Sequence, residues 1–405
     1  MSSGTPPHTL REVERTPASS RTLRVIGYVA LGVLLVITLV LSVIGVITKF
    51  EQRNEAAARA VAFEQSEPQA DALPASCLSP KARDARPSEA WVGESAAQNE
   101  AEFLLHPDTA EMRVVGQDGF NFWGDAQALN FTQALGRNPL SNDEIAAWIA
   151  YFDGLNSELA ADGRDLVILV APAKWEIYPE KLPEWSAGRL GQTRFDQFLD
   201  HSGAVPVVDV RDALINAKAE TPVYSAVNSH WSPFGALSAW QQVVRCGADL
   251  YPESMWGTVE VPVAVDVDLV EAPNEFTPFG DTSSPADWAV ADLGQSGGSI
   301  HTQVTDAEGN RVDGNSNGAI GLLELPATTE YSEASGRVLI VGDSMNEALT
   351  PVQARAFGAT CQIRHNFDNP SKRPNVLEEA RACEADVVFF QFTERYFSQP
   401  APVLP

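Results

Sequence analysis

Positive charge is scarce in this chain. Its 405 residues hold 28 Lys and Arg against 54 Asp and Glu, a formal net charge of −26. The stretch 1–48 has Arg11, Arg15, Arg21 and Arg24 against Glu12 and Glu14, so the whole acidic excess lies beyond it. A surface of that sign repels nucleic acid and anionic lipid headgroups, which argues against both as ligands of the main domain. Nucleotide signatures are missing too: there is neither a P-loop nor a GxGxxG, and no cofactor is expected. Cysteine is limited to Cys77, Cys246, Cys361 and Cys383, without a CxxC or Cys/His spacing that would suggest zinc. No repeat of about 20–50 residues stands out, so a solenoid is not indicated.

What the chain does have is one long uncharged run. VIGYVALGVLLVITLVLSVIGVITKF extends from Val25 to Phe50, with no charge between Arg24 and Lys49. About 20 apolar residues in a helix span a hydrocarbon core. A cleaved signal would have a shorter apolar core, and Thr48-Lys49-Phe50-Glu51 is a poor cleavage site. The expectation is a cytoplasmic tail over 1–24, a single transmembrane helix over 25–48 and an extracytoplasmic remainder. Lys49, Arg53 and Arg59 follow the span, so the charge bias that orients it is small. Outside the membrane, four cysteines permit two disulfides in three connectivities. Cys361 and Cys383 are the preferred pair, each near the start of a predicted neighbouring strand, with buried free thiols as the alternative.

Residues 49–105 are rich in Ala, Glu, Gln and Ser and interrupted by Pro68, Pro74, Pro80 and Pro87, which reads as a stalk or linker. From 106 to 405 strand patterns alternate with helical ones. MRVVGQDGFNFWG suggests a hairpin about Asp118-Gly119. Ser141 and Glu144 form a capping box ahead of the stripe Ile145, Trp148, Ile149 and Phe152. DLVILVAP (165–172), RVLIVGDS (337–344) and ADVVFFQF (385–392) are continuous apolar runs, as strands buried on both faces require. Further helices are expected over 189–201, 233–248 and NEALTPVQARAFG, with a strand over 205–210. Short β-like pieces fill 251–335, which reads as an insertion or cap on an α/β domain with a mainly parallel sheet.

Ser344 in VLIVGDSMNEAL follows a buried strand, at the edge where open α/β sheets bind ligands. Gly-Asp-Ser is also a good turn and N-cap sequence. As a nucleophile the serine needs a general base nearby. Of six histidines, His230 in NSHWSPFGA and His365 in CQIRHN are placed to serve, and spacing alone does not choose between them. Oxyanion donors and supports would come from the Ser344 or Met345 amide beside Asp343, or from the Asn366 or Asn369 side chains. Trp231 and Tyr178 are candidates for stacking on sugar rings, with core packing as the alternative.

Five segments in order, GQDGFNFWG, VAPAKWEIYPEKLP, NSHWSPFGA, RVLIVGDSMNEAL and VVFFQFTERYF, resemble the SGNH-hydrolase-like alginate O-acetyltransferase family. The resemblance covers 106–397 and implies an SGNH-hydrolase-like three-layer α/β/α domain. It also implies a serine nucleophile in Gly-Asp-Ser and a base in an earlier Asp-x-His-Trp motif, which match Ser344 and His230. Lys174 resembles a family position at a strand end and joins the substrate-binding candidates; Glu394-Arg395 resembles the family's closing pair. The implied activity is serine-dependent O-acetyl transfer, or acetylester hydrolysis, on a cell-envelope or exported polysaccharide. Implied partners are that polysaccharide acceptor and a multi-spanning membrane-bound O-acyltransferase supplying acetyl groups.

This chain departs from the pattern at Asn228, where the family has aspartate. An amide can orient an imidazole but cannot offset its charge once protonated. Three readings stay open: a triad working with Asn228, a substitute carboxylate such as Asp209 or Asp343, or a glycan-binding or scaffolding relative without turnover.

Overall fold

The computed structural model describes residues 73–294 and 298–404. The tail, the expected transmembrane helix over 25–48 and the first part of the stalk lie outside the described residues. No helix among the described residues is long and apolar enough to cross a membrane.

The hairpin forms as β1 (Arg113–Val115) and β2 (Asn121–Trp123), paired antiparallel with Val114 opposite Phe122. Its turn places Asp118 and Gly119 at φ 53° and 79°, the left-handed conformation that Asp-Gly accommodates. The helix Asn142–Ala161 starts at the expected capping box: the Ser141 hydroxyl accepts from the Glu144 amide, and Glu144 accepts from the Ser141 amide at 2.8 Å. Its apolar stripe buries Trp148, Phe152, Leu155 and Leu159.

β3 (Asp165–Ala171) and β4 (Val207–Val208) begin the main sheet. The chain then forms a separate antiparallel pair, β5 (Asp266–Val270) and β6 (Trp288–Asp292). After it come β7 (Ile300–Thr305), β8 (Arg311–Asp313), β9 (Ala327–Tyr331), β10 (Arg337–Gly342), β11 (Ala359–Arg364) and β12 (Val387–Thr393). The sheet order is β4-β3-β12-β10-β11-β9-β7-β8. Its first five strands pair in parallel, and β9, β7 and β8 add antiparallel to the β11 edge. The insertion therefore widens the sheet as well as contributing a separate hairpin.

Alternation along the central strands makes three layers. Val167, Leu169, Val338, Ile340, Val387 and Phe389 pack with the helix Pro233–Leu250 on one face. Leu166, Ile168, Leu339, Val341, Val388 and Phe390 pack with the helix Asn142–Ala161 on the other. Strands apolar at every position are what burial under two helical layers demands.

Four expectations need correction. The part of the stalk from Leu73 to 105 is folded against the domain: Cys77 is disulfide-bonded to Cys246, and the Ser79 hydroxyl donates to the Asp209 carbonyl. Buried Arg86 in the same segment pairs with Glu176 at 3.2 Å. Polar composition marks that segment as a linker, but its polar groups satisfy partners in the core. The strand expected over 205–210 shrinks to Val207–Val208, because Pro206 has no amide hydrogen and Asp209 turns to Arg211. The helix expected over 189–201 starts only at Arg194, where Thr193 caps it. The helix after Gly-Asp-Ser divides into a 3₁₀ segment, Ser344–Leu349, and an α-helix, Thr350–Ala356, whose first turn admits Pro351.

The second disulfide joins Cys361 of β11 to Cys383 ahead of β12.

Candidate active site

β10 lies between β11 and β12, so the turn that ends it sits at the middle of the parallel edge. Gly342 closes that strand because a Cβ there would come within 2.9 Å of the Asn346 Cβ. Asp343 then points inward. Its carboxylate accepts from the Met345 amide at 2.8 Å, the Gln391 side chain at 2.9 Å, and the Thr393 amide and hydroxyl at 2.8 and 2.7 Å. Burial alone would raise its pKa, but His365, Arg395 and the Thr393 bonds outweigh it and hold the carboxyl well below the usual range. Asp343 thus locks the turn that presents Ser344.

The histidine arrives from a different element. Ser232 caps the helix Pro233–Leu250, accepting from the Gly235 amide at 3.2 Å, with Pro233 at the first position. Just before that cap, Trp231 is fully buried and its indole N–H donates to the Met345 carbonyl at 2.8 Å. His230 precedes it and stays partly open to solvent, with Nε2 2.9 Å from the Ser344 hydroxyl oxygen.

Asn228 settles which ring nitrogen carries the proton. Its Nδ2 donates to the Pro273 carbonyl at 2.7 Å, which can only accept, so Oδ1 faces the ring. That oxygen accepts from the His230 amide at 2.8 Å and lies 3.2 Å from Nδ1. A carbonyl oxygen there requires a proton on Nδ1, leaving Nε2 as the acceptor for the Ser344 O–H.

Neither substitute carboxylate considered from sequence reaches this ring. Asp209 is bound to Arg211 through both oxygens, and Asp343 faces His365, with Oδ2 3.5 Å from Nε2. The carboxylate beside His230 is Glu275, whose Oε2 lies 3.5 Å from Nδ1. Its other oxygen accepts from the Ser229 amide. Burial would push this carboxyl up, but His230 and Ser229 outweigh it and its pKa is lowered. Sequence reasoning missed Glu275: in EAPNEFTPFG it is an isolated glutamate with no period or motif around it.

His365, the other candidate base, is fully buried; burial lowers its pKa against the pull of Asp343. Its Nδ1 accepts from the Phe367 amide at 2.9 Å. Of the expected donors, the Met345 amide is taken by Asp343, and Asn366 donates to the Arg364 and Lys372 carbonyls. Asn369 accepts from the Ser371 hydroxyl.

The three residues expected to meet a sugar are buried instead. Trp231 serves as described, and the Tyr178 hydroxyl accepts from the Val223 amide at 3.2 Å. Lys174 is enclosed by Phe120, Phe122 and Phe276, and its ammonium donates to the Ser225 and Ala226 carbonyls at 3.1 and 2.9 Å. Burial pulls its pKa down to about 7, against the opposing influence of Glu275, Asp287 and Asp281. Ser344 opens instead onto a cleft of 190 Å³ whose wall includes Gln127, Arg364, Arg395 and Gln399. Glu394 points away from it into the core, where its carboxylate accepts from the Ala173 amide.

Comparison with known proteins places this geometry in context. The family described as SGNH hydrolase-like domain, acetyltransferase AlgX, matches residues 114–253. A probable alginate O-acetylase AlgJ of Pseudomonas aeruginosa is 30% identical over 139 residues, 34% of this chain and 32% of that protein. The AlgJ of Pseudomonas syringae pv. tomato is 25% identical over 183 residues, 43% of this chain and 45% of that protein. The chain thus spans less than half the length of these relatives. Among solved structures, Bacillus cereus PatB1 with a sulfonyl adduct superposes with a TM-score of 0.52 at 14% identity, over 71% of this chain and 97% of that one, a likeness of fold. The resemblance of this chain to the SGNH-hydrolase-like alginate O-acetyltransferases holds.

Proposed function

We propose that this chain is a serine-dependent O-acetyltransferase of a cell-envelope or exported polysaccharide, anchored by residues 25–48 with its folded domain outside the cytoplasm. The observation that carries the reading is the 2.9 Å approach of His230 Nε2 to the Ser344 hydroxyl, with the ring held in the tautomer that accepts a proton. Both disulfides fit an oxidising compartment.

In this mechanism the Ser344 oxygen attacks the acetyl carbonyl of a donor ester while its proton passes to His230 Nε2. The Ser344 amide, at the head of the 3₁₀ segment, is the proposed donor to the oxyanion. Collapse of the tetrahedral adduct returns the proton from Nε2 to the departing donor oxygen and leaves acetyl-Ser344. A sugar hydroxyl in the cleft then gives its proton to Nε2 and attacks the acetyl carbonyl, and collapse breaks the bond to the Ser344 oxygen, which takes the proton back from Nε2, leaving acetylated glycan and free serine. Water in place of the sugar gives an acetylesterase. The acetyl donor fits a multi-spanning membrane-bound O-acyltransferase partner.

The test is acetylation of the full chain, purified in detergent, by an activated acetyl ester, followed by mass spectrometry. Acetyl should appear on Ser344 and vanish in Ser344→Ala and His230→Ala. A chain that never acquires acetyl on Ser344 is the glycan-binding or scaffolding protein instead.

A further inference from the structure

The amide at position 228 leaves a gap in the reaction just described. When Nε2 takes the serine proton, the ring becomes an imidazolium with N–H on both nitrogens, and Asn228 offers it no charge. Two short segments converge there. The Asn228 side chain donates to the Pro273 carbonyl at 2.7 Å, the Glu275 amide donates to the Val227 carbonyl at 3.2 Å, and the Ser229 amide donates to Glu275 Oε1. These bonds clamp 227–229 against 273–275 and aim the second carboxylate oxygen at the ring, 3.5 Å from Nδ1.

We infer that Glu275 is the positioning residue that supplies the negative charge for His230, the part played by aspartate in the Asp-x-His-Trp pattern. The orienting and the charge-offsetting duties of one aspartate are divided here: Asn228 fixes the tautomer, and Glu275 stabilises the proton once it arrives. A carboxylate on the insertion can take this part because only its distance from Nδ1 matters, not its place in the chain. His230 is the charged group that acts on Glu275, and Glu275 in turn acts on Lys174 together with Asp287 and Asp281. The His230 ring and the Ser229 bonds favour the ionised carboxylate. Both side chains are partly covered, Glu275 at 20% and His230 at 31% exposure, so the pair is screened less than one on open surface.

This inference rests on the acetyl-transfer reading, and the experiment keeps the two apart. Acetylation of Ser344 by p-nitrophenyl acetate is followed in the full chain, in Glu275→Gln, in Asn228→Asp and in the double variant. If Ser344 is never acetylated, the parent reading falls. If it is acetylated, Glu275→Gln should slow the step by about 10-fold or more, up to the roughly 10⁴-fold loss known for the aspartate-to-asparagine change in a serine protease triad. The acid limb of its rate–pH profile should also move to lower pH, since removing the negative charge disfavours the imidazolium. Placing the carboxylate at 228 in the double variant should recover at least about 10-fold of that loss. Asn228→Asp in the otherwise native chain should change the rate by less than about 10-fold, because the charge is already present. The assignment to Glu275 is overturned by a smaller loss, by an acid limb that stays in place, by failure of the double variant to recover, or by a larger gain in Asn228→Asp alone.

Discussion

The Trp231 indole donates to the Met345 carbonyl across 2.8 Å, so the residue after the proposed base is bonded to the residue after the proposed nucleophile. The bond joins the residue ahead of the cap of the helix Pro233–Leu250 to the turn that ends β10. It fixes the separation of the two elements one residue away from the His230–Ser344 contact.

Trp231→Phe should keep most of the core volume and lose that bond. Leaving the Met345 carbonyl buried without its donor costs about 1–3 kcal/mol, measurable by urea denaturation. Acetylation of Ser344 should slow by about 10-fold, as misplacement of a reacting pair does. A stability loss with an unchanged rate would show that the bond does not set the register of the pair.

Lys174 makes stability depend on alkaline pH. Burial lowers its pKa to about 7 from the ordinary 10.5 of a lysine, so between those values the unfolded chain holds a proton that the folded chain lacks. Stability therefore rises with pH through that window, and below it the cost of the buried charge is fully felt. Comparing denaturation of the native chain with Lys174→Met from pH 7 to 10 should show the native chain gaining on the variant, by on the order of a few kcal/mol. Parallel curves would show that Lys174 keeps its proton.

The Cys77–Cys246 bond closes a span of 169 residues and ties the segment ahead of 105 to the helix Pro233–Leu250, which follows His230 in the chain. Replacing both cysteines by serine should lower stability by about 2–5 kcal/mol. Limited proteolysis should then cut the variant first between 78 and 105. A variant as resistant as the native chain would show that Arg86 and Ser79 hold the segment without the bond.

The sheet was legible where the strands are deepest. DLVILVA, RVLIVG and VVFFQFT are short, mainly apolar runs because helices cover both faces, and their length and flanking turns separate them from a helix. The helix after Ser141 was legible because its cap is local. Ser344 could be placed from its strand, but the choice of His230 over His365 needed the family resemblance, since the two differ in burial rather than in any sequence signal. Glu275, Lys174 and the folded part of 73–105 were not legible. Each depends on a contact between segments far apart in the chain, and for an isolated Glu or Lys exposure is the ordinary expectation.

The Cys361–Cys383 bond turns the chain between those residues into a closed hoop. Arg364 and Asp368, both on the wall beside Ser344, hang from that hoop and are joined to each other at 3.0 Å. His230, Asn228, Glu275 and Ser344 all lie outside it. His365, inside the same hoop, faces Asp343 at 3.5 Å, so this one covalent bond braces both a wall of the cleft and a neighbour of the turn that presents Ser344.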